Sequence, residues 1–242
     1  VFLVILHGFW GNGSDLAPIS EALRQGNLVD RSWAPDLFVP GPLSPDFGFS
    51  DWTESFANEL RRRAAGSKVV AIGYSMGGRL LLHVLKSHPE LFRGAVIVSS
   101  QPQLQTVEEV RERKLWELNW DLAFQDRPWN ELWRDWNHME VLKSISLRPP
   151  PMEFSHSREY LSKALKEWSP SRHLISVQDF RQSEVPLLWV AGKKDRKYAQ
   201  MYSEFCQMGI QGQFEFISDA GHRVHLDQPD LFTQVVSRFV RG

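Results

Sequence analysis

Three residues of this chain have types that together can take a proton and act on a carbonyl group: Ser75, Asp195 and His222. Ser75 is the centre of Gly73-Tyr74-Ser75-Met76-Gly77, a G-x-S-x-G pattern. The apolar stretch Val69-Val70-Ala71-Ile72 enters it and a helix-like period over 78–85 leaves it. A strand-to-helix reversal that sharp holds the serine in a strained backbone conformation, and flanking glycines keep neighbouring atoms from colliding. The hydroxyl is then presented beside a helix N-terminus, where N–H groups and the helix dipole favour developing negative charge.

A serine hydroxyl needs a base, and the base needs an acid to orient it. In the chain order serine, acid, histidine, the next strand that ends in an acid is Leu187-Leu188-Trp189-Val190-Ala191-Gly192-Lys193-Lys194-Asp195. His222 follows in Asp219-Ala220-Gly221-His222, a loop before the last helix. His222 would take the Ser75 proton, and Asp195 would fix its tautomer and stabilise the imidazolium. The loop His7-Gly8-Phe9-Trp10-Gly11 follows the first strand. The backbone N–H groups of Phe9 and Met76 are the expected oxyanion donors.

The other histidines have plainer roles. His225 reads as packing or capping at the start of the last helix, and His7 as a loop brace. His83 and His88 read as surface positions. The His222/His225 pair lacks further ligands, so no metal site is expected, and no cofactor is suggested.

These side chains must be carried by strand ends. Short apolar runs at 1–6, 32–37, 68–72, 94–98, 186–190 and 213–217 alternate with helical periods at 15–24, 51–65, 76–87, 198–208 and 229–240. That alternation predicts an α/β fold, with a mostly parallel sheet covered by helices on both faces. Between 105 and 172 it stops. The stretch is helical, rich in Trp and charge, and broken by Pro149-Pro150-Pro151. It reads as a helical cap inserted after the fourth recognisable strand, over the sheet edge where open α/β sheets hold ligands. The core would then comprise 1–104 and 173–242. Trp116, Trp120, Trp129, Trp133 and Trp136 read chiefly as packing within that cap.

A net charge of -1 provides no field to recruit nucleic acid or an anionic membrane. The first apolar run is six residues long, too short for a signal-peptide core or a membrane span. A single cysteine, Cys206, suits a reducing compartment, and a cytoplasmic location is expected. The chain opens directly in a strand without Met, so upstream residues are expected too. Nothing in the residues specifies an oligomeric state.

Taken together, these motifs resemble the α/β-hydrolase superfamily. More narrowly, they are similar to the 2-succinyl-6-hydroxy-2,4-cyclohexadiene-1-carboxylate synthases of menaquinone biosynthesis. The narrower resemblance rests on the elbow Gly73-Tyr74-Ser75-Met76-Gly77-Gly78-Arg79, the acid segment Asp195-Arg196-Lys197-Tyr198, and the run Ala220-Gly221-His222 through Pro229. It spans most of the sheet and is looser in the cap, where Glu112-Arg113 matches a Glu-Arg pair and Leu147-Arg148 a second arginine. The family's Pro-Gly-His-Gly-x-Ser loop is replaced by Pro40-Gly41-Pro42-Leu43-Ser44-Pro45, and the family's initial strands are absent from the sequence.

The resemblance implies elimination of pyruvate from a polyanionic small molecule, with Ser75 acting as a base through His222 and no acyl-enzyme. It further implies Arg79, Arg113 and Arg148 as partners for substrate carboxylates and Tyr74 as a hydrogen-bond donor. The competing reading for each arginine is a solvated surface charge, and beside the proline run it is the stronger one for Arg148. Two other functions remain open: a serine carboxylesterase or C–C bond hydrolase using the same three residues, and a non-catalytic binding protein on this fold.

Overall fold

The structure, a computed structural model, describes residues 1–142, 157–173 and 175–242. Six parallel strands form one sheet in the order β2-β1-β3-β4-β5-β6. They are β1 (Phe2–Leu6), β2 (Arg31–Trp33), β3 (Val69–Tyr74), β4 (Phe92–Val98), β5 (Leu187–Gly192) and β6 (Gln213–Ile217). The run expected at 32–37 forms only the short, largely exposed edge strand β2. Beyond Trp33 it holds Pro35 and Asp36, and proline has no N–H for a ladder.

Successive side chains along each central strand point to opposite faces, so each strand feeds two cores. Val4, Leu6, Ala71, Ile97 and Trp189 join one apolar cluster, while Leu3, Ile5, Val70, Val96 and Val190 join the other. The first face is covered by α2 (Phe49–Ala64), α3 (Met76–Ser87) and α7 (Arg196–Gln207). The second is covered by α1 (Ala17–Gln25), α9 (Pro229–Arg241) and Val224 of the short α8 (Val224–Asp227). Burial on both sides explains why the central strands are almost uninterrupted apolar sequence.

Between β4 and β5 lie α4 (Val107–Asp126), α5 (Trp129–Asn137) and α6 (Arg158–Glu167). The start of α4 is fixed by a capping box: Thr106 Oγ1 accepts from Glu109 N–H while the Glu109 carboxylate accepts from the Thr106 N–H. Arg158 ties α6 to the end of α4 by donating to the carbonyls of Phe124 and Arg127, both at 2.9 Å. Phe124, Leu132, Trp136 and Leu161 belong to the same apolar cluster as the first sheet face, so these helices share the sheet's core. Trp10, in the loop after β1, is the hinge pin of that contact. Its ring lies 5.1–5.7 Å from those of Phe124, Trp129, Trp133 and Trp136.

Candidate active site

The turn after β3 has the strain its sequence calls for. Ser75 has φ 50° and ψ -111°, in a region that L-residues avoid. Its N–H donates to Val98 O at 2.9 Å, and Ser100 Oγ–H donates to its carbonyl at 2.8 Å. The glycines are steric necessities: a Cβ on Gly77 would lie 2.3 Å from Leu6 O. Gly8 is constrained by a side chain instead, since a Cβ there would meet the Tyr74 ring at 2.6 Å.

Around this serine the loops after β5 and β6 converge. His222 Nε2 stands 3.1 Å from Ser75 Oγ, and His222 Nδ1 stands 2.7 Å from Asp195 Oδ2. An ionised carboxylate can only accept, so Nδ1 carries the proton and Nε2 is left to accept from the serine hydroxyl. His222 and Asp195 are 4% and 5% exposed, which shields their interaction from water. The imidazole sits between two tyrosines, with ring centroids 5.1 Å from Tyr198 and 5.5 Å from Tyr74. Met76 is the first residue of α3, where N–H groups lack intrahelical acceptors, and Phe9 lies in the loop facing the serine. Such a constellation can abstract a proton or deliver a nucleophile at Ser75.

A cavity of about 640 Å³ opens above Ser75 and His222. Arg79, Arg113, Trp116, Trp136, Lys197 and Tyr198 are among its walls. Arg79 is 8% exposed, with Nε donating to Trp168 O at 3.1 Å. Burial, with the like charge of Arg113 second, brings its pKa down to about 10, so it stays cationic at neutral pH. Arg113 also lines the cavity, but its Nε donates to Glu117 Oε1 at 2.5 Å and its guanidinium covers the Trp116 ring at 4.2 Å. Arg148 lies outside the described residues. Tyr74 does not line this cavity; it packs behind Gly8 and against His225, 4.6 Å between rings, beside a smaller chamber. Burial pushes its phenol pKa well above the usual range.

Sequence reasoning gave no role to several wall residues. Glu112 and Glu140 bring negative charge, and so does Glu109, held ionised by the backbone N–H groups of Thr106 and Gln105. Lys197 and Tyr198 stood in the acid segment but were given no role. Two tryptophans of the cluster, Trp116 and Trp136, pack the inserted helices and also face the cavity.

The remaining histidines divide. His7 braces the loop, accepting from Leu37 N–H at Nε2 (3.0 Å) and donating from Nδ1 to Gly8 O (2.8 Å). His225 lies in α8, a separate turn before the last helix, not at that helix's start. His83 is not a surface position. It stacks on Phe49 at 4.0 Å and meets His173 edge-on at 4.6 Å, because α2 and the segment after α6 close over it. His88 is half-buried among Glu54, Arg61 and Glu90. Among the described residues no group of three or more metal-ligating side chains occurs.

Parallel sheet, strained serine turn and acid–histidine loops define a class, and residues 3–235 match the Alpha/beta hydrolase family; the chain belongs to it. It is an enzyme of that fold, of lyase or hydrolase type. Within the class, it is 25% identical over 252 residues to the 2-succinyl-6-hydroxy-2,4-cyclohexadiene-1-carboxylate synthase of Pectobacterium atrosepticum, covering 99% of this chain and 93% of that one. Its fold is similar to that of MenH from S. aureus, with TM-score 0.87 and 20% identity, covering 99% of this chain and 93% of the other. An esterase from Exiguobacterium antarcticum shares the fold at TM-score 0.76 and 18% identity, covering 100% and 92%. Among the described residues no helix is long and apolar enough to cross a membrane.

Proposed function

We propose that the chain is a carbon–oxygen lyase. It would eliminate pyruvate from a succinyl-enolpyruvyl cyclohexene dicarboxylate to give 2-succinyl-6-hydroxy-2,4-cyclohexadiene-1-carboxylate. The observation that carries this reading is Arg79. It is a buried cation that forms no ion pair among the described residues, and it lines the same cavity as Ser75. An unpaired buried charge is costly, and a substrate carboxylate would relieve that cost. The curated relative of like name supports the same choice.

In this reading Ser75 gives its proton to His222 and removes one from carbon beside a substrate carbonyl. Asp195 stabilises the imidazolium that results. The Phe9 and Met76 N–H groups meet the developing enolate oxygen. Electrons then flow to the ring, and the bond to the enolpyruvyl oxygen breaks with its pair leaving on oxygen. The fragment takes up a proton and departs as pyruvate, and no acyl-enzyme forms. Arg79 anchors one carboxylate, while Arg113, already paired with Glu117, contributes a shared charge.

Pyruvate release from the enzymatically prepared precursor tests this, with Ser75→Ala as control. Fast release that depends on Ser75 is expected; none above the control sinks the lyase reading. Glu112 and Glu140 on the same walls favour a second reading, a serine carboxylesterase acting on a less charged substrate. A burst of p-nitrophenol from p-nitrophenyl acetate, without pyruvate release, would select it.

A further inference from the structure

Ser75 lines two spaces. Besides the large cavity there is a chamber of about 50 Å³, and Phe9, Ser75, Trp136 and Leu142 border both. A single ordered water needs roughly 10–15 Å³ on this scale, so the chamber accepts a group of several heavy atoms.

Two donor-only residues on its walls have unmet hydrogen-bonding capacity. Arg223, next to the candidate base, is 9% exposed; its Nη2 donates to Asn137 Oδ1 at 2.5 Å, but its Nη1 is buried with no partner among the described residues. Trp10 is 4% exposed, and its indole N–H is likewise buried without a partner. Buried polar groups are nearly always satisfied, so two orphans bordering one chamber call for an explanation. Guanidinium and indole are donors only. What both lack is an acceptor, and beside a guanidinium the best acceptor is an anion. Asp15 also lines the chamber, which limits the tolerated charge to a single negative group.

We infer that this chamber receives a small monocarboxylate of the 2-oxo acid class, its carboxylate on Arg223 and the Trp10 N–H. The choice of pyruvate as that ligand rests on the lyase reading. The chamber would hold the leaving fragment while Arg79 holds the ring, so the bond to be broken spans the two spaces at Ser75. Arg223 would thus be a substrate-binding residue that also ties the His222 loop to α5 through Asn137.

The test uses Ser75→Ala protein, which cannot turn over, titrated with pyruvate and followed by saturation-transfer NMR and tryptophan fluorescence. Arg223→Gln in that background is expected to weaken pyruvate binding roughly tenfold or more, the loss of a charge-assisted bond. Trp10→Phe keeps a ring and the Arg223–Asn137 bond while losing the N–H, and is expected to weaken it about fivefold. Arg79→Ala should weaken it less than Arg223→Gln does. No pyruvate binding to the Ser75→Ala protein overturns the proposal. So does binding lost with Arg79→Ala yet untouched by Trp10→Phe. Arg223-dependent pyruvate binding in a protein that releases no pyruvate from the precursor would refute the lyase reading and leave the chamber assigned.

Discussion

Asp195 and His222, 27 residues apart, meet at 2.7 Å through one carboxylate oxygen, while the other oxygen accepts from the Tyr198 N–H at 3.4 Å and caps α7. One side chain therefore orients the imidazole and begins a helix. Asp195→Asn separates the two duties, because asparagine caps helices about as well as aspartate but cannot stabilise an imidazolium. We expect turnover to fall by about 10⁴-fold while the melting temperature changes by only a few degrees. A loss of only a few-fold would remove Asp195 from the catalytic set. Ser75→Ala and His222→Ala should each abolish turnover to a similar extent, with unchanged circular dichroism.

Gly77→Ala tests the elbow's sterics. The new Cβ would lie 2.3 Å from Leu6 O and 2.6 Å from His7 O, both backbone atoms of β1 and its loop. The strand cannot yield without breaking its ladder to β3, so destabilisation of about 3 kcal/mol or more is expected in urea titrations. A variant of native stability would show that the turn is looser than its geometry.

Arg79→Ala should weaken a polyanionic substrate or inhibitor by about 2 kcal/mol, roughly thirtyfold in Kd. A neutral ester should be affected far less. Arg113→Ala should cost less anion affinity, since Glu117 already neutralises that guanidinium. Equal losses for the two variants would contradict the distinction drawn between a paired and an unpaired arginine.

The His83–His173 pair predicts an acid sensitivity. Burial, reinforced by Lys86, lowers the His83 pKa to about 4; burial, with His83 and Arg79 nearby, lowers that of His173 as well. Folding therefore favours the neutral rings. Their contribution is complete above the unfolded value of about 6.5, and it is lost as pH falls through that value towards the folded one. For His83 the loss is on the order of 3 kcal/mol by pH 4. His83→Phe keeps the stack on Phe49, and it should flatten the decline of melting temperature between pH 6.5 and 4.5. An unchanged slope would show that His83 titrates normally.

Much of this site was legible in sequence because its determinants are local. Gly73, Gly77 and the strand before them specify the turn that strains Ser75. The apolar runs entering Asp195 and preceding His222 put both at strand ends, and a parallel sheet with right-handed crossovers brings such ends together. Tyr74 shows the limit. Its position in the elbow is local, but whether its ring faced substrate or the back of Gly8 depended on a loop 66 residues away in the chain.

The sequence by itself determined the alternation of strands and helices, the elbow and the order of serine, acid and histidine, since hydrophobic period and glycine sterics act over a few residues. The tertiary structure alone decided which cations are spent and which are available. Arg113 is taken by Glu117 on its own helix, Arg79 is buried beneath α6 with only a carbonyl partner among the described residues, and Arg223 reaches Asn137 across 86 positions. The physical reason is that a charge's burial and its counter-charge are set by whichever distant elements fold against it, and no local pattern encodes that meeting.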